Sequence, residues 1–120
     1  MVKAKDLKRH NKYIEVAKKL SMKSKMNHGH GCVLVYRKKI ISVGYNDYSF
    51  QNIKKFSMHA EANAILSALK MGYGDILCDC KMYVIRIGPN DTLKYSKPCR
   101  NCSKYIIKHN ISKVFWSVDE

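Results

Sequence analysis

Apolar positions along the chain switch between helical spacing and short β-branched runs. Leu7, Tyr13, Ile14, Ala17 and Leu20 recur near helical spacing with lysines opposite, which predicts a helix over residues 5–21. The polar stretch SMKSKMNHGHG breaks that pattern. CVLVY, residues 32–36, reads as a buried strand, and IISVGY, 40–45, as its hairpin partner across the tight connection RKK. NDYSFQNIKKFS, 46–57, has no clear period and reads as a loop. MHAEANAILSALKMG, 58–72, carries the densest helical pattern, with an apolar face through Ala62, Ile65, Leu66 and Leu69. Ser57 is its expected N-cap, Glu61 sits in its first turn, and Gly72 is placed to end it. KMYVIRIG, 81–88, is a third strand and PNDTLKYSK a turn-rich loop. Pro98 is expected to open a helix carrying Cys99, Cys102, Tyr105, Ile106 and Ile107 and ending near Asn110. KVFWSV, 113–118, is the last strand.

The order is therefore helix, strand, strand, helix, strand, helix, strand. Two strands joined by a tight turn make an antiparallel hairpin. Two joined through a helix should be parallel, with a right-handed crossover. The expectation is an α/β sandwich on a mixed sheet. A length of 120 residues with 46% hydrophobic content suits one domain spanning 1–120. Six glycines and two prolines are too few to suggest disorder. No apolar run follows the basic first ten residues, and no run is long enough to cross a bilayer. A soluble, cytoplasmic protein without a signal peptide is expected.

Charge narrows the partners. Lys and Arg number 23 against 9 acids, a net charge of +14. A surface this basic attracts polyanions, and lysine in excess of arginine favours diffuse phosphate attraction over planar base reading. The loop YSFQNIKKF interleaves aromatics with lysines, a composition that can stack bases and hold phosphates. The arginines Arg9, Arg37, Arg86 and Arg100 are scattered and form no phosphate cluster that the sequence can show.

Cysteine brings in the chemistry. Five cysteines, Cys32, Cys78, Cys80, Cys99 and Cys102, with no secretory signal argue against a disulfide framework. Cys99 and Cys102 are spaced as a metal or redox pair. Cys78 and Cys80 could complete four thiolates, but one intervening residue is short for a zinc knuckle, and a surface loop is the simpler reading. His28, His30 and Cys32 would share one face of an extended chain, yet two glycines make that backbone flexible, and Cys32 opens a core strand. His59 is the third option. It stands in the first turn of one helix, and the two cysteines stand in the first turn of another. Two helix N-termini can meet at one sheet edge, where their dipoles favour thiolates and carboxylates. One nitrogen and two sulfurs leave a tetrahedral zinc with an open position, and Glu61 lies two residues from His59.

At these residues, His59-Ala60-Glu61 and Pro98-Cys99-Arg100-Asn101-Cys102, the chain resembles the zinc-dependent cytidine/deoxycytidylate deaminase superfamily, whose signature is H-x-E followed by P-C-x-x-C. The resemblance covers most of the chain. It implies a cytidine deaminase-like three-layer α/β/α sandwich with a mixed sheet, in a minimal version ending after the fourth strand. It implies zinc held by His59, Cys99 and Cys102, and hydrolytic deamination of cytosine with Glu61 as proton shuttle. Asn46 is implied as a sugar contact, and the backbone around Ala60 and Pro98 as readers of the ring edge. HAEANAI looks like the deoxycytidylate branch. Nucleoside deaminases of this superfamily typically carry cysteine where His59 stands. A loop longer than in many relatives precedes Pro98. An end after the last strand would leave a sheet edge for a partner, so a homo-oligomer is expected.

Two other readings remain in view. One is a deaminase acting on cytosine or adenine within single-stranded DNA or RNA, including tRNA, which the charge favours. The other is a redox or binding module built on the C-x-x-C pair. The position of that pair far from the N-terminus, beside an intact H-x-E, counts against it.

Overall fold

The structure is a computed structural model that describes residues 2–3, 11–24, 29–48 and 57–119. Its elements are β1 (Val2–Lys3), α1 (Asn11–Lys23), β2 (His30–Tyr36), β3 (Lys39–Tyr45), β4 (Asp47–Tyr48), β5 (Ser57–Met58), α2 (Ala60–Lys70), β6 (Lys81–Ile87), β7 (Leu93–Lys94), α3 (Arg100–Lys108) and β8 (Lys113–Trp116). The main sheet runs β1-β8-β6-β2-β3, with β7 also paired to β6. β2 is antiparallel to both β3 and β6, whereas β6 and β8 are parallel, so the sheet is mixed as expected.

Strand alternation divides the core into two layers. Val33, Val35, Tyr83, Ile85 and Phe115 face α1, where Tyr13, Ile14, Ala17 and Leu20 cover them. Cys32, Leu34, Met82, Val84, Val114 and Trp116 face the other way, toward Ala60, Ala64, Ile65 and Ala68 of α2 and Ile106 of α3. The result is the three-layer α/β/α sandwich. No helix among the described residues is long and apolar enough to cross a membrane.

Several boundaries differ from the sequence expectation. α1 runs to Lys23, and Leu7 lies outside the described residues, as do His28 and most of YSFQNIKKF. Ser57 is not the cap of α2. It pairs with Tyr48 in a two-residue ladder, which needs extended backbone, so the cap passes to His59. Pro98 does not open α3; it precedes the N-cap, Cys99. The stretch 89–97 contains β7, which pairs Leu93 with Ile87 and Lys94 with Arg86. β1 pairs with β8 through Val2 and Lys3, so the outer edge of β8 is occupied over two residues by the chain itself. That removes part of the ground for expecting a partner there.

Each helix of the second layer ends by the same device. Gly72, at φ 86°, donates to Leu69 O, and Tyr73 donates to Ala68 O. Asn110, at φ 63°, donates to Ile107 O, and Ile111 to Ile106 O. Both are Schellman closures, and each uses a residue type that tolerates positive φ.

The register lines up Gly44, Cys32, Val84 and Trp116 across four strands on the α2–α3 face. Gly44 is where α2 touches down. A Cβ there would lie 2.6 Å from both Ala60 O and Ala64 N. Only a residue without a side chain lets the first turn of α2 rest on β3. Gly44→Ala is expected to lower stability by about 1–3 kcal/mol through overpacking. Denaturant unfolding of the zinc-loaded protein checks this.

Candidate metal centre

α2 and α3 begin at one end of the sheet and present their N-termini to each other. His59 is the N-cap of α2, in extended conformation, so its ring projects beyond the helix end. Cys99 is the N-cap of α3, and its Sγ accepts the Cys102 N–H at 3.4 Å. Sulfur here takes the place of a capping hydroxyl and satisfies one of the free amides of the first turn. His59 Nδ1 lies 3.1 Å from Cys102 Sγ and 3.8 Å from Cys99 Sγ. The three donor atoms all fall within 4.8 Å of one another. A tetrahedral zinc, with Zn–S of about 2.3 Å and Zn–N of about 2.0 Å, separates nitrogen and sulfur ligands by about 3.5 Å. The donor set fits the metal in type and spacing. His59 and Cys99 are exposed and Cys102 is buried, so the site opens to one side.

Glu61 is on the closed side. It is buried, and its carboxyl lies close enough to the Cys102 thiol for each to influence the other's proton. Burial pushes its pKa up from the ordinary carboxylate value, while its own backbone N–H and the His59 charge pull it back. Burial, then the Glu61 charge, likewise raises Cys102. A divalent cation reverses that logic, because a coordinating thiol gives up its proton. Cys32 lies beneath both groups on β2. It is fully buried, and the charges of Glu61 and Cys102 add to the effect of burial in holding its thiol protonated.

The strap that delivers Cys99 is fixed by two serines that the sequence reading passed over. Ser96 and Ser117 are buried, with their hydroxyl oxygens 2.7 Å apart. The Ser117 N–H donates to Ser96 Oγ and Val84 O, the Ser96 N–H donates to Ser117 O, and the Arg86 N–H donates to Ser117 Oγ. The strap is thereby tied to β6 and to the end of β8. Ser42 does a similar service for α2, its buried hydroxyl donating to Ala64 O. The small residues Ser42 and Gly44 at alternate inward positions of β3 were the available signal for that contact. Trp116 lies on the floor row beside the strap. Lys97 Nζ stands 5.6 Å from its ring centroid, and the indole Nε1 is buried without a hydrogen-bond partner among the described residues.

Other candidate residues are placed apart. Cys78 is exposed and Cys80 buried, both around the 3-10 helix Gly74–Asp79, where neither approaches the metal donors. Cys80 is a core residue, buried in the same cluster as Leu77 and Ile111, and the surface-loop expectation fails for it. Burial, with Asp79 and Cys78 nearby, pushes its thiol up to about 11. Asn46 is buried, and its Oδ1 accepts the His30 N–H at 2.8 Å. Ala60 is buried in the first turn of α2, and Pro98 is buried beside Cys99.

The sequence profile described as "Cytidine and deoxycytidylate deaminase zinc-binding region" matches residues 7–118. The chain belongs to this family of zinc-dependent deaminases, and zinc is its cofactor. A probable deoxycytidylate deaminase of Caenorhabditis elegans is 30% identical over 92% of this chain. This chain spans 58% of that protein. Among solved structures, guanine deaminase from Bacillus subtilis superposes with a TM-score of 0.68 at 25% identity, over 91% of this chain and 64% of that one. Apo dCMP deaminase from the cyanophage S-TIM5 gives 0.64 at 21% identity, over 98% of this chain and 86% of that one.

Two outcomes test the site as drawn. At pH 8, iodoacetamide should label Cys78 quickly in the zinc-loaded protein and leave Cys32 and Cys80 unlabelled; Cys99 should join only after chelation. Ser117→Ala strands buried partners and should cost about 1–3 kcal/mol. A competition titration with a chromogenic chelator should find its zinc affinity lowered as well.

Proposed function

We propose that the chain catalyses the hydrolytic deamination of a cytosine base in a nucleotide of the dCMP type. Cytosine and water become uracil and ammonia. The observation that carries this reading is Glu61, a buried carboxyl held against Cys102 where three metal donors converge. His59, Cys99 and Cys102 would hold zinc. Bound there, zinc supplies the Lewis acidity that makes water easy to deprotonate near neutral pH.

Glu61 takes a proton from the attacking water, whose oxygen bonds to C4 of the ring. It passes that proton to N3, then takes the remaining proton of the C4 hydroxyl and gives it to the amino group, so that the C4–N bond breaks, the C4 carbonyl forms and ammonia leaves. A raised carboxyl pKa suits a group that must both accept and return a proton. Ala60 and Pro98, adjacent to the ligands, offer backbone groups to the ring edge. Asn46 is the sugar contact in this reading. The deoxycytidylate deaminase relative and the residues HAEANAI support a free nucleotide as substrate.

The net charge of +14 favours a second reading, deamination of cytosine or adenine inside single-stranded DNA or RNA. An ammonia-release panel over cytidine, deoxycytidine, CMP, dCMP, adenosine and single-stranded DNA and RNA separates the two. Turnover of dCMP above the polymers supports the first; the reverse order supports the second. Glu61→Gln should keep stoichiometric zinc and lose about 10²- to 10⁴-fold in kcat. Wild-type turnover in that variant would remove Glu61 from the mechanism.

A further inference from the structure

Asn63 follows His59 and Glu61 at the end of the first turn of α2 and is half-buried. Its backbone N–H donates to His59 O at 3.0 Å, the bond that closes that turn. Its side chain reaches the other way, and Nδ2 donates to Tyr45 O at 2.7 Å. A carbonyl acceptor requires the NH2 end of the amide here. One residue thus bonds to a metal donor's own carbonyl and to the end of β3. The reach is short because Gly44 lets α2 come close: a Cβ on Gly44 would lie 2.9 Å from Asn63 Cβ.

The bonded carbonyl belongs to the peptide that leads into Asn46. That peptide is a trans plane, in which C=O and N–H point opposite ways. Its N–H, that of Asn46, donates to His30 O on β2 at 3.3 Å. Its C=O therefore points away from β2. β3 is the last strand on that side of the main sheet, so Asn63 supplies the donor that a neighbouring strand would otherwise give. The plane is held at both ends, from β2 and from α2.

Asn46 itself is buried and bound at two further atoms. Its Oδ1 accepts the His30 N–H at 2.8 Å, and its O accepts the hydroxyl of Ser24, the residue after α1, at 2.9 Å. Those bonds tie Asn46 to β2 and to α1. The Asn63 bond ties it to the helix that carries His59 and Glu61. We propose that Asn63 is a positioning residue for the substrate sugar: by holding Tyr45 O it sets Asn46 at a fixed distance from the metal donors and Glu61, so that a sugar seated on Asn46 brings C4 of its base to the proton shuttle. The role of the sugar rests on the deaminase reading of the cleft; the clamp from Asn63 to Asn46 rests on the hydrogen bonds.

Two measurements test this. The first needs no substrate. Asn63→Asp keeps the shape of the side chain but has no N–H to give, and Asn63→Ala removes the reach altogether. In the zinc-loaded protein both should speed hydrogen exchange at the Asn46 amide by about 10-fold or more, because exchange reports local opening. Zinc should stay stoichiometric, and the core amides of β6 should exchange as in wild type. The second is a double-mutant cycle on kcat/KM for dCMP. Either Asn63 variant should lose about 10- to 100-fold, mostly as a higher KM, the scale of a misplaced binding group. In an Asn46→Ala background the same substitutions should cost nothing further. An equal loss in both backgrounds, or wild-type kcat/KM in both Asn63 variants, overturns the proposal. So does unchanged exchange at Asn46. Faster exchange throughout the core together with loss of zinc also overturns it, since Asn63 would then only hold the fold together. If no cytosine compound releases ammonia, the cycle is read on dCMP affinity by calorimetry. The same non-additivity there keeps the positioning role and removes only the deaminase reading; additivity, or no dCMP binding, removes both.

Discussion

The structure depends on the direct seating of a helix on a strand. With α2 resting on β3 at Gly44, His59 and Glu61 are placed at one end of the sheet before any metal is considered. The parallel β6–α3–β8 unit brings a second helix N-terminus to the same end. Two helix dipoles then point their positive ends at one space, and thiolates and a carboxylate are the groups that such a field stabilises. The metal donors are therefore as much a product of packing as of sequence spacing.

Below and around that space the polar groups divide into two kinds. Ser42, Ser96 and Ser117 spend their hydrogen bonds inside the fold and fix where the helices and the strap sit. Glu61 stands at the cleft instead, a buried carboxyl beside the metal donors. A low-dielectric floor of Cys32, Val84 and Trp116 separates the metal donors from the α1 side of the sheet. Charges in such a setting act on one another more strongly than they would in water.

Much of this was legible in the sequence. The two motifs picked out the three side chains whose donor atoms converge, and the helical periods placed them at the starts of α2 and α3. The four long strands and three helices follow from the same periods. What could not be read was anything that needs pairing partners. β4, β5 and β7 are two residues each, too short to leave a period. The cap of α2 moved from Ser57 to His59 because a ladder with β4 held the backbone extended, a non-local effect that overrides local cap preference. Arg86 looked isolated because its neighbours His30 and Lys94 are brought to it only by register. Cys80 looked like a loop residue because nothing local says that its 3-10 turn closes over the core.

Trp116 is the single tryptophan of the chain. Its indole lies on the floor row, with the Lys97 ammonium near one face and a buried Nε1 that no group among the described residues accepts from. Indole emission is sensitive to nearby charge and to hydrogen bonding at that nitrogen. The fold therefore contains one fluorophore, set against the strap that holds Cys99. Its spectrum reports on the strap and on the core layer beneath α2 and α3, which gives the cleft an intrinsic optical signal free of background from a second indole.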